Sequence, residues 1–178
     1  RLVGNLLGYV SAWKPSPQRR AVYVGADAGR RHLESAGCEF EPYAGSLSNC
    51  QLLIVGPGGG QTLAADAEAI HRWLQADGRI LAIGLDQRDL DFLPAEIGVT
   101  GREHIAAYFE AFVAASPLRG VSPADIHNRD PRQLPLIESG ARVFGNGVLA
   151  TTEDEKIVFC QMVPWQLGDI RQWNLKRT

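Results

Sequence analysis

Short apolar runs alternate with polar stretches of helical period along the first half of the chain. Leu2, Leu6 and Val10 stand four apart, with Leu7 and Trp13 close to that stripe. This predicts a short amphipathic helix over 2–13, ended by the stiff Lys14-Pro15-Ser16-Pro17 linker. Ala21-Val22-Tyr23-Val24 predicts a buried strand, with Gly25 opening the turn after it. A short helix over 27–36, closed by Gly37 at its C′ position, and a second strand over 38–43 follow. Leu52-Leu53-Ile54-Val55 is the third strand and runs into Gly56-Pro57-Gly58-Gly59-Gly60. Thr62 is then expected to cap a helix with apolar positions Leu63, Ala67, Ile70 and Leu74, stopped by Gly78. Residues 79–84 form the fourth strand. Strand and helix alternating over short links imply right-handed crossovers and a parallel sheet covered on both faces, an α/β architecture.

The pattern changes after residue 100. Thr100 and Glu103 have capping-box spacing, and Ile105, Phe109 and Phe112 follow at helical intervals, so a helix is expected there. Prolines 117, 123, 131 and 135 predict an extended, irregular segment over 116–139. Residues 147–152 and 156–161 flank Glu153-Asp154-Glu155 and predict a C-terminal β-hairpin with an acidic turn. The expected layout is a linker helix and proline-containing linker over 1–20, an α/β domain over 21–170 and a polar tail over 171–178.

Composition narrows the function classes. The 178 residues suffice for one domain with a sizeable core, and 45% of them are hydrophobic. A formal charge of −2 argues against nucleic acid and anionic membrane as partners, since both select a basic face. No apolar run reaches the ~20 residues that span a bilayer. The chain opens on Arg1 rather than Met, so it is expected to be a piece of something larger. Cys38, Cys50 and Cys160 are odd in number and widely spaced, which suggests neither a disulfide framework nor a metal site. They are expected to be small buried apolar residues, and no cofactor is called for.

Several polar positions invite a chemical reading. In an open parallel sheet, ligands sit at the carboxyl ends of the strands, where Gly58, Gly59, Gly60, Asp86 and Gln87 fall. The glycines could offer backbone N–H groups to an anion, but the run lacks both dinucleotide and P-loop spacing. Asp86 and Gln87 could hold sugar hydroxyls, or Asp86 could cap the next turn while Gln87 faces water. His127 could act as a general base oriented by Asp125 or Asp130, although a loop pinned by hydrogen bonds and an Arg–Asp pair is the reading we favour. His32, His71 and His104 lack companion ligands and are expected on solvated helical faces. Trp73 is expected at the edge of the core, while Trp165 and Trp173, like the stripe ending at Trp13, are expected to meet a neighbouring domain or subunit.

Three stretches of the chain together carry a resemblance. Residues 54–60 resemble the oxyanion loop of class I glutamine amidotransferases. Ala82-Ile83-Gly84-Leu85-Asp86-Gln87 resembles their nucleophile turn, G-I-C-L-G-x-Q, and Gln161-Met162-Val163-Pro164-Trp165 resembles their late Q-x-H-P-E run. Gly84 stands in the place of the cysteine, Val163 of the histidine and Trp165 of the glutamate, so the resemblance implies a lost triad. Residues 122–130, 159–165 and 174–178 are similar to accessory domains of bacterial β-galactosidase-like glycoside hydrolases. That similarity implies a three-layer sandwich with a mainly parallel, flavodoxin-like sheet and no catalytic role. It further implies a carbohydrate-active parent, with neighbouring domains of the same polypeptide, a second copy or carbohydrate as partners.

Overall fold

The computed structural model describes residues 20–48 and 51–166. The helix expected over 2–13, Cys50, Trp13, Trp173 and the polar tail lie outside the described residues. Among the described residues, nine strands form two sheets, one of seven and one of two. The strands are β1 (Arg20–Val24), β2 (Phe40–Pro42), β3 (Gln51–Val55), β4 (Arg79–Ile83), β5 (Gly98–His104), β6 (Arg132–Ser139), β7 (Arg142–Phe144), β8 (Leu149–Thr151) and β9 (Ile157–Cys160). The larger sheet runs in the order β2-β1-β3-β4-β9-β8-β7. Its first five strands are parallel, and β8 and β7 continue it antiparallel. The mixed, mostly parallel sheet with its helices is the expected α/β architecture.

Alternation along the strands divides the apolar side chains between two faces. Val22, Val24, Leu53, Val55, Ile80, Ala82, Ile157 and Phe159 share one cluster with Ile70, Trp73 and Leu74 of helix α3 (Ala67–Gln75) and with Leu85, Leu90, Phe92 and Leu93. Tyr23, Ile54 and Ile83 share another with Leu33 of helix α1 (Asp27–Ser35) and Trp165. A third gathers Phe109, Leu118, Ile126, Leu134, Leu136 and Met162 against Val148 and Leu149. Among the described residues, no helix is long and apolar enough to cross a membrane.

Local chemistry sets the helix ends. Gly37, at φ +78°, closes α1: its N–H donates to Glu34 O and that of Cys38 to Leu33 O, the paired bonds of a left-handed C-terminal cap. Thr62 does not cap the next helix. Helix α2 (Gly59–Leu63) begins three residues earlier, after Gly58 at φ +80°, and one 3-10 turn (Ala64–Asp66) joins it to α3. The early start depends on close backbone approach, since a side chain on Gly59 would meet Val24 O and one on Gly60 the backbone of Asp89. At the end of α3 the left-handed residue is Asp77 (φ 71°), not Gly78. Gly78 is needed because the Trp73 ring lies against its α-carbon, with that indole fixed by an Nε1 bond to Ser48 O at 2.9 Å.

The helix expected after Thr100 is absent. Residues 98–104 form β5, paired antiparallel with β6, so 132–139 is a regular strand rather than irregular chain. Thr100 Oγ1 donates across the pair to Glu138 at 2.6 Å, and Arg102 forms an ion pair with the same carboxylate. Thr100 is thus engaged across the strand pair and not in a helix cap. Pro135 is tolerated because a two-stranded ribbon leaves each strand one edge without partners. The hairpin at the acidic turn is present, β8 against β9, yet β9 also pairs parallel with β4 and so lies inside the sheet.

Tyr43, just beyond β2, donates its hydroxyl to Asp66 at 2.8 Å. Burial first, and then the bond to the Asp66 carboxylate, push this phenol up to about 12. A folded value above the unfolded one stabilises fully below pH ~10 and fades as pH climbs toward 12. Urea titrations from pH 9 to 12 should show stability falling through that window, and Tyr43→Phe should flatten the slope.

Candidate functional site

The strand order brings the carboxyl ends of β3, β4 and β9 side by side. The three loops singled out in the sequence, 56–60, 84–87 and 161–165, therefore meet at one edge of the sheet. Gly84 follows β4 directly at φ +59°, the left-handed conformation that L side chains rarely adopt. Its N–H donates to Cys160 O at 2.9 Å, which ties the turn to the end of β9. A β-carbon built on Gly84 would run into the Val163 Cγ2 methyl, far inside van der Waals contact, and would stand 3.7 Å from Pro57 Cγ. Gly84 and Val163 thus face each other beside the glycine loop.

Neither Gly84 nor Val163 carries a group that can transfer a proton or attack a carbonyl. Gly84 and Val163 are buried, and Leu85 beside them is fully enclosed. Trp165 is half-buried on α1. A β-carbon on Gly29 would lie 2.9 Å from its ring, and its centroid is 5.8 Å from that of His32. Its ring therefore packs on α1 and joins the Tyr23, Ile54 and Ile83 cluster.

The glycine loop already holds a carboxyl group of its own. Gly58 N–H donates to Asp89 Oδ2 at 2.8 Å, and Asp89 is 4% exposed. Its other carboxylate oxygen has no hydrogen-bond partner among the described residues. Sequence reasoning missed Asp89, which stands between the chemically equivalent Asp86 and Asp91. Asp86 sits at the N-terminus of the 3-10 turn Gln87–Asp89 and accepts from Arg88 N at 2.9 Å and Asp89 N at 3.2 Å. Gln87 donates through Nε2 to Ile97 O and accepts at Oε1 from Val99 N, both at 3.1 Å, so its amide clamps the chain leading into β5. Gln161 is fully buried and donates to Leu85 O at 3.1 Å, fixing the same turn from the β9 side.

Other chemistry-bearing residues lie elsewhere. Cys160 is half-buried, and burial raises its thiol above the usual range, with a bond to Met162 O opposing that rise. Cys38 is exposed, against the expectation that it is buried, because the strand there starts only at Phe40. His104 is 3% exposed and bonds Ile126 O at 2.8 Å. It ends a strand rather than occupying a solvated helix. His71 does lie on α3, half-buried, with Nε2 2.8 Å from Phe92 O. His127 is exposed, and the Asp125 carboxylate is held by Ser122 N and Oγ, both at 2.7 Å. That capping box lowers the Asp125 pKa and gives the polar loop a structural purpose. Among the described residues no cluster of His, Cys, Asp or Glu is arranged to hold a metal ion.

A scan of the chain against protein-family models matched none, and a search of the curated proteins returned no match.

The close packing generates a paired prediction. Gly84→Ala should cost about 2–4 kcal/mol, combining left-handed strain with overpacking against Val163. Adding Val163→Ala, which removes the colliding methyl, should recover part of that loss. Chemical denaturation of the two single variants and the double variant measures the coupling directly.

Proposed function

We propose that this chain is a non-catalytic, amidotransferase-like accessory domain serving docking, spacing or oligomerisation within a larger bacterial carbohydrate-active protein of the glycoside hydrolase kind. The reading rests chiefly on one observation: a left-handed strand-to-turn elbow at Gly84 whose side-chain direction is filled by Val163. Such an elbow is costly to form without glycine and serves acyl-transfer enzymes by exposing a nucleophile. Here the same backbone device encloses a methyl group.

The order of the five parallel strands, β2-β1-β3-β4-β9, supports a flavodoxin-like sheet. The separate clusters formed by α1 and α3 support helices on opposite faces, the three-layer arrangement. The carbohydrate-binding alternative has less in its favour, because Asp86 and Gln87 are engaged by backbone groups and Gly58 N–H by Asp89. A crevice of about 560 Å³ at the ends of β1 and β2 is similarly self-satisfied: Arg30 pairs with Asp27 and Glu34, and Tyr43 with Asp66.

Ammonia release from glutamine by the purified chain should equal the buffer blank. A rate abolished by Cys160→Ser would sink the reading. Mono- and oligosaccharides at millimolar concentration should leave the melting temperature unchanged, whereas a rise removed by Asp86→Ala would favour the binding alternative.

A further inference from the structure

β7 is a three-residue strand at one end of the large sheet, with Arg142 and Val143 exposed. It turns back into β8 through residues 145–148, and the pairing of Phe144 with Leu149 closes the turn. Gly145 (φ +56°), Asn146 (φ 59°, ψ 29°) and Gly147 (φ +94°) are all left-handed there. The two glycines are buried. A β-carbon on Gly147 would run into Ile137 O, and one on Gly145 would stand 3.0 Å from Ile126 Cδ1 and from Val148 Cγ1. Asn146 between them is exposed. Asparagine visits the left-handed region more readily than most residues. The turn thus presents one amide to water from a backbone packed on either side of it.

Asn146-Gly147 is the one asparagine–glycine pair in the sequence. Glycine has no side chain to shield its nitrogen, so the pair supports an intramolecular reaction. The Gly147 backbone nitrogen, once it gives up its proton, attacks the carbonyl carbon of the Asn146 side chain. A new N–C bond closes a five-membered imide, and the side-chain nitrogen departs as ammonia. Water then opens the ring. Breaking the new bond gives aspartate. Breaking the original peptide bond gives isoaspartate, whose backbone runs through the former side chain and is one methylene longer. In the closed turn the ring cannot form. At ψ 29° the Gly147 nitrogen lies nearly opposite the Asn146 side chain across the Cα–C bond. It comes within reach only when ψ turns by more than a right angle, which requires the turn between β7 and β8 to open. A three-residue strand at the end of a sheet is an element that opens locally at low free energy.

We propose that Asn146 is a site of spontaneous deamidation, gated by opening of the turn, and that isoaspartate formed there releases β7 from the sheet. The longer backbone has no place beside Ile137, where even a β-carbon on Gly147 does not fit. Aspartate at the same position suits the left-handed turn and adds one negative charge to the formal −2. The purified chain, kept at body temperature and mildly alkaline pH beside a urea-unfolded sample, should convert at residue 146 in both, more slowly when folded. Buried Asn128, followed by Arg129, should keep its amide in the folded chain. The isoaspartyl fraction, isolated by chromatography, should melt about 4–8 °C below the unmodified chain. Asn146→Asp should cost less than about 0.5 kcal/mol, equivalent to a melting shift of ~2 °C or less. Asn146→Gly, which keeps the turn and lacks the amide, should not change on incubation. An amide still intact at residue 146 in the folded sample overturns the proposal. Conversion as fast in the folded chain as in urea overturns the gate. An isoaspartyl chain that melts with the unmodified one overturns the release of β7, as does an equal loss in Asn146→Asp, which would assign the effect to charge.

Discussion

At the carboxyl edge of the sheet, the ends of β4 and β9 approach so closely that the direction a side chain would take from Gly84 is already filled by a Val163 methyl. Much of this edge follows from that contact. Gly84 must adopt a left-handed conformation to turn the chain away from β9, and its N–H bond to Cys160 O keeps the turn against that strand. Gln161 braces the same turn through Leu85 O. Val163 then closes the space beside Gly84 with an apolar group.

The glycine loop follows the same logic. Its N–H groups could stabilise an oxyanion, but the one at Gly58 is bonded to the buried carboxylate of Asp89. The chain supplies this carboxylate from the turn that Asp86 caps, and the close backbone contact of Gly60 with Asp89 locks loop to turn. Elsewhere the fold ties its layers together in comparable ways. Lys156 Nζ donates to Leu74 O at 2.8 Å, placing a cation at the carboxyl end of α3 and joining the hairpin to the helix layer.

The parallel half of the fold was legible because its strands are continuous apolar runs and its breaks are glycines, as at Val22, Leu53 and Ile80 with Gly37 after α1. The segment after residue 98 was not. Phe109 and Phe112 are spaced as on a helix, yet Phe112 packs on Phe144 with ring centroids 4.9 Å apart, a tertiary contact that local spacing does not encode. Polar residues misled for a similar reason. Asp86 and Gln87 look like ligand groups in a sequence, and only three-dimensional placement shows that their partners are backbone atoms at 88–89 and 97–99. Asp89 could not be told from its neighbours, since burial of a carboxylate depends on the distant Gly58.

The central claim, that Val163 fills the side-chain direction of Gly84, is tested most directly by proton contacts in solution. In a methyl-labelled sample, nuclear Overhauser spectra should show a strong cross-peak between a Val163 γ-methyl and a Gly84 α-proton. Its absence, with the Val163 methyls contacting water or a different part of the chain instead, would contradict the account.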